Sequence, residues 1–390
     1  MSAVRRPGMA PRTPAALLAL GASLAVCVSF PPRLSRAQGA PPVVIAGGGD
    51  VLAHIRVVRA ARSGGWDRVF EGLREVIRER DVAFANLETP LSEERPVESG
   101  SPPILGAPPA LATALANAGI DVVSIANNHA WDQWARGAER TVAAVRAARV
   151  GAIGAGPTLE EALAPHVIAR DGTRVAFVGI TERVNAGPGH DPPEALIARW
   201  DDDAQVAAAV ERARAAADVV VVSILCSHDF VQRPSARQRA RARLLVDHGA
   251  DIILGHGPHV LHGVERMRSP RGDALCAYSL GNLVSNQGLR YRLGRRAAAG
   301  AHIATWLPAS RDGAWLRVEV RARGGRIAID RVEAVPLFTY NNFWDTQRDR
   351  ALEPDIRVQR LAEAADTLLR GERHPVIAAT LGSEVTLVDR

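Results

Sequence analysis

The chain contains no lysine: all 48 of its basic residues are arginines. This absence excludes the phosphate-binding loop of nucleotide-binding proteins, which closes on a lysine. The glycine-rich turn Ala46-Gly47-Gly48-Gly49 leads instead to Asp50. Aromatics are scarce at 4%, and with the abundance of Ala, Val and Arg this reads as compositional bias rather than function. Cysteine is scarce too, at three residues, of which Cys27 falls in the N-terminal leader. Cys226 and Cys276 lie in or beside apolar strand segments, where a thiol behaves as a small buried hydrophobe. A disulfide between them is left open by the sequence. Neither cysteine belongs to the polar motifs described below, so the candidate ligands are oxygens and nitrogens.

No hydrophobic run is long enough for an ordinary bilayer span. The longest, residues 15–30, has 16 residues against the roughly 20 that a spanning helix needs. Arg5, Arg6 and Arg12 precede it, and small and polar residues follow through Ala37 and Gly39. Residues 1–37 therefore read as a secretory signal peptide or an uncleaved membrane anchor. Ser35-Arg36-Ala37 gives a tolerable cleavage site, Val26 is wrong for a lipoprotein box at Cys27, and Arg5-Arg6 lacks twin-arginine flanks. Export is expected, to a periplasmic, extracellular or membrane-anchored location, with association to the membrane through the N-terminus open. The leader holds five arginines and no acid, which leaves 43 arginines against 42 acids in the body. The body is nearly neutral, and no nucleic-acid partner is expected.

The 390 residues suffice for one large domain with a sizeable core. Short apolar runs alternate with amphipathic stretches. Strands are expected at 43–47, 82–85, 122–126, 167–170, 175–180, 219–225, 252–254, 274–278, 301–307, 315–322 and 326–335. Helices are expected at 66–80, 109–118, 137–149, 204–217, 235–248 and 356–369. Residues 91–109 form a long loop rich in Pro, Ser and Glu. The layout is α/β, with central strands too apolar to be exposed on either face. The domain spans 43–338, with 339–390 as a C-terminal extension.

What is present is a set of ligand-type residues at strand ends. Asp50, Glu88, Asn128 with His129, and His228 each follow an apolar strand, and His256 and His259 share the turn Gly255-His256-Gly257-Pro258-His259-Val260. Singly, each has an ordinary explanation. Asp50 could cap a helix, Glu88 could be a surface acid, Asn128 could hold a left-handed turn, and each His could be structural. Asp132, three residues after His129, could orient that imidazole or cap the next helix. Together they sit where an open α/β sheet gathers its ligands, at the carboxyl ends of its strands. A carboxylate such as Glu88 can bridge two divalent ions, and a His beside a ligating Asn can give a proton to a leaving group. The mixed oxygen and nitrogen set suits two divalent cations, Mn, Fe or Zn, in a hydrolytic centre. His54 is a reserve ligand. His166, His190, His248, His262 and His302 lack this context.

These motifs resemble the CapA family of poly-γ-glutamate capsule synthesis proteins. The resemblance rests on Gly49-Asp50-Val51, Asn86-Leu87-Glu88, Gly119-Ile120-Asp121, Asn127-Asn128-His129 with Asp132, Gly249-Ala250-Asp251, the histidine turn, and Tyr278-Ser279-Leu280-Gly281-Asn282, in the family's order. It implies a metallophosphoesterase-like sandwich of two mixed β-sheets flanked by helices. It further implies that Asp50, Glu88, Asn128, His228, His256 and His259 are metal ligands, with Glu88 as the bridge. His129 would be the general acid, with Asp132 beside it, and Asn86, Tyr278 and Asn282 would line the site. The chain departs from the pattern at Gly257, at Asp229 to Gln232, at Trp134 and at Arg56. The implied activity is a metal-dependent phosphoesterase-like hydrolase acting on an envelope polymer such as poly-γ-glutamate, or on another phosphoester. The alternative is a non-catalytic polymer-binding or anchoring protein with a degenerate metal site.

Overall fold

Val82–Asn86 shows how the central strands form. Successive side chains point to opposite faces, and in this strand Val82 and Phe84 join one apolar cluster while Ala83 and Ala85 join another. Both faces are buried, so the strand is apolar throughout. The computed structural model describes residues 41–185, 196–226, 228–297 and 299–389. The leader, with Cys27, and also His190 lie outside the described residues. The strands are β1 Val43–Val51, β2 Val82–Asn86, β3 Val122–Ser124, β4 Gly151–Ile153, β5 His166–Arg170, β6 Thr173–Thr181, β7 Val219–Leu225 and β8 Ile252–His256. They continue with β9 Val264–Ser269, β10 Gly272–Ala277, β11 Asn282–Val284, β12 Asp312–Arg323, β13 Arg326–Asn341, β14 Ile356–Arg360 and β15 Thr386–Leu387.

Their ladder runs β4-β3-β2-β1-β12-β13-β10-β8-β7-β6-β5, with β9, β11, β14 and β15 attached at its sides. The expectation of two separate mixed sheets is thereby corrected to one continuous sheet. Its two halves, each mixed, join at a single residue pair, Gly272 with Ile327. The sheet then curls until β4 packs against β5 and β6, which makes it a near-closed barrel. The rings of Phe84 on β2 and Phe177 on β6 stack across the interior, with centroids 6.2 Å apart. Truncating either buried ring to alanine would cost about 3–5 kcal/mol. Helices cover the outer faces. Ile55–Gly64, Ala110–Ala118 and Trp134–Ala147 pack outside β1 to β3, and Asp203–Ala216 and Ala236–Asp247 pack outside β6 to β8.

Several expected elements differ. Residues 301–307 contain a short helix, Ile303–Trp306, because the His302 side chain accepts from the Ala304 N–H and starts a turn. The expected helix at 356–369 is β14 followed by helix Thr367–Leu381. Ile356 and Val358 alternate inward and pair with β13, and Asp366 caps the helix. The expected helix at 66–80 is two pieces, Trp66–Val69 and Leu73–Ile77. Helix Ile55–Gly64 was not anticipated. Cys226 and Cys276 are buried free thiols, as the apolar setting implied. Burial, ahead of neighbouring carboxylates, pushes both thiols above their ordinary range. Residues after 338 are tied to the sheet through β14 and β15, both paired with β13. Among the described residues no helix is long and apolar enough to cross a membrane.

The parallel strands set the site. Asp50 on β1 stands level with Asn86 on β2 and with Asn282 on β11, and Asn86 stands level with Ser124 at the end of β3. His256 closes β8 beside Leu225 at the end of β7. Gly49 permits the approach of β1 to β11: a Cβ there would lie 2.0 Å from the Gly281 carbonyl oxygen.

Candidate metal centre

Asp50 is fully buried. Its Oδ1 accepts from Asn86 Nδ2 at 2.9 Å and lies 3.1 Å from His256 Nδ1, while its Oδ2 lies 3.1 Å from His259 Nδ1. The Gly257 N–H also donates to Oδ2 at 3.4 Å, from a residue with φ of +102°. Burial pushes this carboxyl up, but the hydrogen bonds and charges of the two imidazoles win and hold it below the usual carboxylate range. Glu88 behaves oppositely. It is also fully buried, and burial, then the negative charges of Asp50 and Asp229, raise its carboxyl well above the ordinary 4.5. One side chain serves both acids: Asn86 Nδ2 donates to Asp50 at 2.9 Å and to Glu88 Oε2 at 3.0 Å.

Asp50, Glu88 and His259 offer ligand atoms that all lie within 4.8 Å of one another. Among the described residues this cluster can coordinate a metal ion. Two oxygens of the expected ligand set support the fit. Glu88 Oε1 and Asn128 Oδ1 are buried and accept no hydrogen bond. A buried polar atom without a partner is costly, and a divalent cation would supply what both oxygens lack. The donor set of carboxylate, amide oxygen and imidazole suits Mn, Fe or Zn.

His259 has φ of +58°, a left-handed conformation uncommon for a residue other than glycine, and such backbone gathers at functional sites. Its backbone is held there by Asn282, whose Nδ2 donates to the His259 carbonyl at 3.3 Å and to Ser310 O at 2.8 Å. The ring of Phe230 lies 6.0 Å from the His259 ring.

His129 Nδ1 lies 2.6 Å from Asp132 Oδ2, both side chains being buried. The same oxygen accepts from the Leu105 N–H at 2.7 Å. This fixes the carboxylate, and through it the imidazole. Asn127 stitches the turn below, donating to Leu87 O at 2.9 Å, and the Asn128 carbonyl accepts from the Asn185 N–H at 2.6 Å.

Asn128, His129 and His259 open into a cavity of about 400 Å³. His54, His302, Arg183, Asp229, Phe230 and segment 97–105 share its wall. Burial, then the charges of His129 and His259, hold the His54 imidazole down to about 3. His54 carried a signal, its position four residues after Asp50. Arg183, His302 and segment 97–105 carried none, since nothing local marks a loop as folding over a distant turn.

The structure does not gather every expected residue. His228 is exposed and is not among the residues on the cavity wall. His256 does meet Asp50, through Nδ1 at 3.1 Å, while its ring lies 5.6 Å from that of Phe84 and its buried Nε2 has no partner. Asn86 and Asn282 lie beneath the ligands and orient them rather than lining the cavity. Tyr278 belongs to the apolar cluster under the helices of the β7–β8 side, and its hydroxyl donates to Glu265 at 3.0 Å.

Comparison with known proteins covers the stretch of chain that carries these residues. Residues 44–287 match the family described as "Bacterial capsule synthesis protein PGA_cap". The chain is 30% identical over 246 residues to the capsule biosynthesis protein CapA of Bacillus anthracis, covering 62% of this chain and 59% of that protein. It is 29% identical over 251 residues to the PGA biosynthesis protein CapA of Bacillus subtilis (strain 168), covering 62% of each. The matches thus span about three fifths of these relatives. Among solved structures, the calcineurin-like phosphoesterase YfkN of Bacillus subtilis aligns with 86% of this chain and 98% of that chain, at 9% identity and a TM-score of 0.44, a likeness too distant to bear on chemistry. The chain belongs to the bacterial capsule synthesis protein family PGA_cap.

Proposed function

We propose that this protein is an exported, metal-dependent hydrolase of metallophosphoesterase type that processes an envelope polymer. The observation behind this reading is the buried cluster of Asp50, Glu88 and His259, with an unpartnered Glu88 oxygen, next to the His129–Asp132 pair. Asp50, Glu88, Asn128 and His259 would hold the metal. A second ion with His256 as a ligand belongs to this reading, and the 3.1 Å approach of His256 Nδ1 to Asp50 Oδ1 is what supports it. Bound divalent metal supplies a hydroxide at neutral pH and a Lewis acid for the developing charge. The protein's own contribution is positional. Asp132 holds His129 in one orientation, so that the imidazole's other nitrogen faces the cavity and gives its proton to the leaving group. Arg183, on the cavity wall, pairs with Asp229 at 3.3 Å and is placed to receive an anionic group of the substrate. The names of the Bacillus relatives point to a poly-γ-glutamate-like polymer as that substrate.

Two observations favour a second reading, a polymer-binding or anchoring protein with a degenerate centre. Gly257 stands where the CapA pattern has a histidine, and His228 is exposed. Turnover of a generic phosphodiester by the full chain with Mn, compared with Asn128→Ala and His129→Ala, separates the two. Metal-dependent turnover lost in both variants supports the hydrolase. Zero turnover in all three supports the binding protein.

A further inference from the structure

The cavity at the metal centre has a neighbour. A second cavity, of about 530 Å³, lies between helix Ile55–Gly64 and segment 93–97. Ile55 and Val97 line both cavities, so the two spaces adjoin at these side chains. The same helix that starts beside His54 at the metal centre walls the second cavity with Val58, Arg59 and Arg62.

The charge of this second space is uneven. Arg59 and Arg62 both line it and stand three residues apart on a helix, IRVVRAARSG, that contains no acid. Residues at that spacing lie on one side of a helix. Arg95 reaches the cavity from the facing segment, with its guanidinium 5.3 Å from the Trp134 ring centroid. The two acids on the wall are already matched. Glu93 pairs with Arg62 at 3.1 Å, and Glu94 pairs with Arg140 and lies 3.9 Å from Arg136. Arg59 is exposed and makes no ion pair among the described residues. Arg59 and Arg95 are therefore not occupied by the cavity's own carboxylates, and the solvent-exposed Arg62–Glu93 pair is weak enough to exchange for a ligand carboxylate. A guanidinium fork matches a carboxylate in two parallel hydrogen bonds.

We propose that this second cavity is a subsite for a polycarboxylate chain, which it holds by Arg59, Arg62 and Arg95 while the adjoining stretch of the same chain lies in the metal cavity. The proposal rests on the polymer-processing reading above and adds where the polymer lies and in what conformation: extended across two compartments. A neutral glycan would leave Arg59 unmatched, and a small anion would fill only one compartment.

The test uses the full chain and fluorescein-labelled oligo-γ-glutamates of increasing length, read by anisotropy in chelator. Affinity should rise with length until both cavities are spanned, and should fall with added salt. Arg59→Ala/Arg62→Ala should weaken the longer oligomers by about tenfold, the sum of two exposed carboxylate contacts. Arg59→Lys/Arg62→Lys should restore most of the loss, which excludes misfolding as its cause. His259→Ala should still bind the oligomers in chelator, so undiminished metal-dependent turnover in that variant would count against the hydrolase while leaving the subsite standing. Wild-type affinity in the Ala double variant, or equal affinity for oligoglutamine of the same length, would overturn the subsite even if the metal centre is active.

Discussion

His259 Nε2 lies 3.7 Å from Glu88 Oε1, and that carboxylate oxygen is buried without a hydrogen-bond partner. The gap is too long for a hydrogen bond, yet both residues belong to the cluster that can share one cation. Metal binding is the economical explanation for a strained histidine held against an unpartnered acid. It also sets the order of effects: residues beneath the ligands should tune affinity, and residues beside them should tune turnover.

Asn86 is the clearest of the first kind, because its amide orients both Asp50 and Glu88. Asn86→Ala should lower divalent metal affinity by about 10- to 100-fold, as is usual for groups that orient ligands. Isothermal calorimetry with Mn or Zn measures it, and unchanged affinity would count against the shared-donor role.

The two acids give a pH signature. Burial and Asp50 raise Glu88 above its ordinary value of 4.5, so the metal-free fold binds a proton there that the unfolded chain releases. Its stabilising contribution is full below about pH 4.5 and is lost as pH rises through the raised value. Asp50 is shifted downward, so its contribution is present above 3.8 and is lost only at strongly acid pH. Thermal unfolding in chelator should therefore show a stability loss with rising pH that Glu88→Gln removes. Added Mn should oppose the loss, since binding the ion takes the place of the proton.

His129 and Asp132 should affect turnover without emptying the centre. His129→Ala should lower kcat by about 10²- to 10⁴-fold, the usual contribution of a positioned acid. Asp132→Asn should cost less and leave metal content near wild type. Elemental analysis beside phosphodiesterase assays checks both. Lost metal in His129→Ala would make that residue a ligand instead.

Arg373 and Asp312 form a buried pair that ties helix Thr367–Leu381 to β12. Removing one partner, as in Arg373→Met, should destabilise the fold by about 3–5 kcal/mol, because it strands the other charge. Replacing both with apolar residues should recover most of the loss. Chemical denaturation of the single and double variants measures this, and it tests whether the segment after 338 belongs to the fold.

Much of the site could be read from the sequence because its residues end apolar strands. Asp50, Glu88, Asn128 and His259 follow recognisable β runs, and parallel strands bring their ends together. Asp132 was legible from its spacing to His129. Tyr278 and His228 show the limit. Tyr278 also follows an apolar strand, but its position in the alternation turns it to the helix-covered face, and one residue of register decides this. His228 lies past the end of β7, where the backbone has left the sheet. The fold's α/β class followed from apolar runs, whereas the joining of its halves at Gly272 and Ile327 depends on one pair between distant segments. The second cavity was illegible, because its arginines gain meaning only where helix Ile55–Gly64 faces segment 93–97.

The most direct test of the central claim is an anomalous difference map at the zinc edge, from crystals of the protein grown with zinc. The account predicts a peak about 2.0–2.2 Å from Asp50, Glu88 and His259, with Asn128 Oδ1 turned towards it. A zinc ion bound elsewhere on the chain, with this cluster free of density, would contradict it.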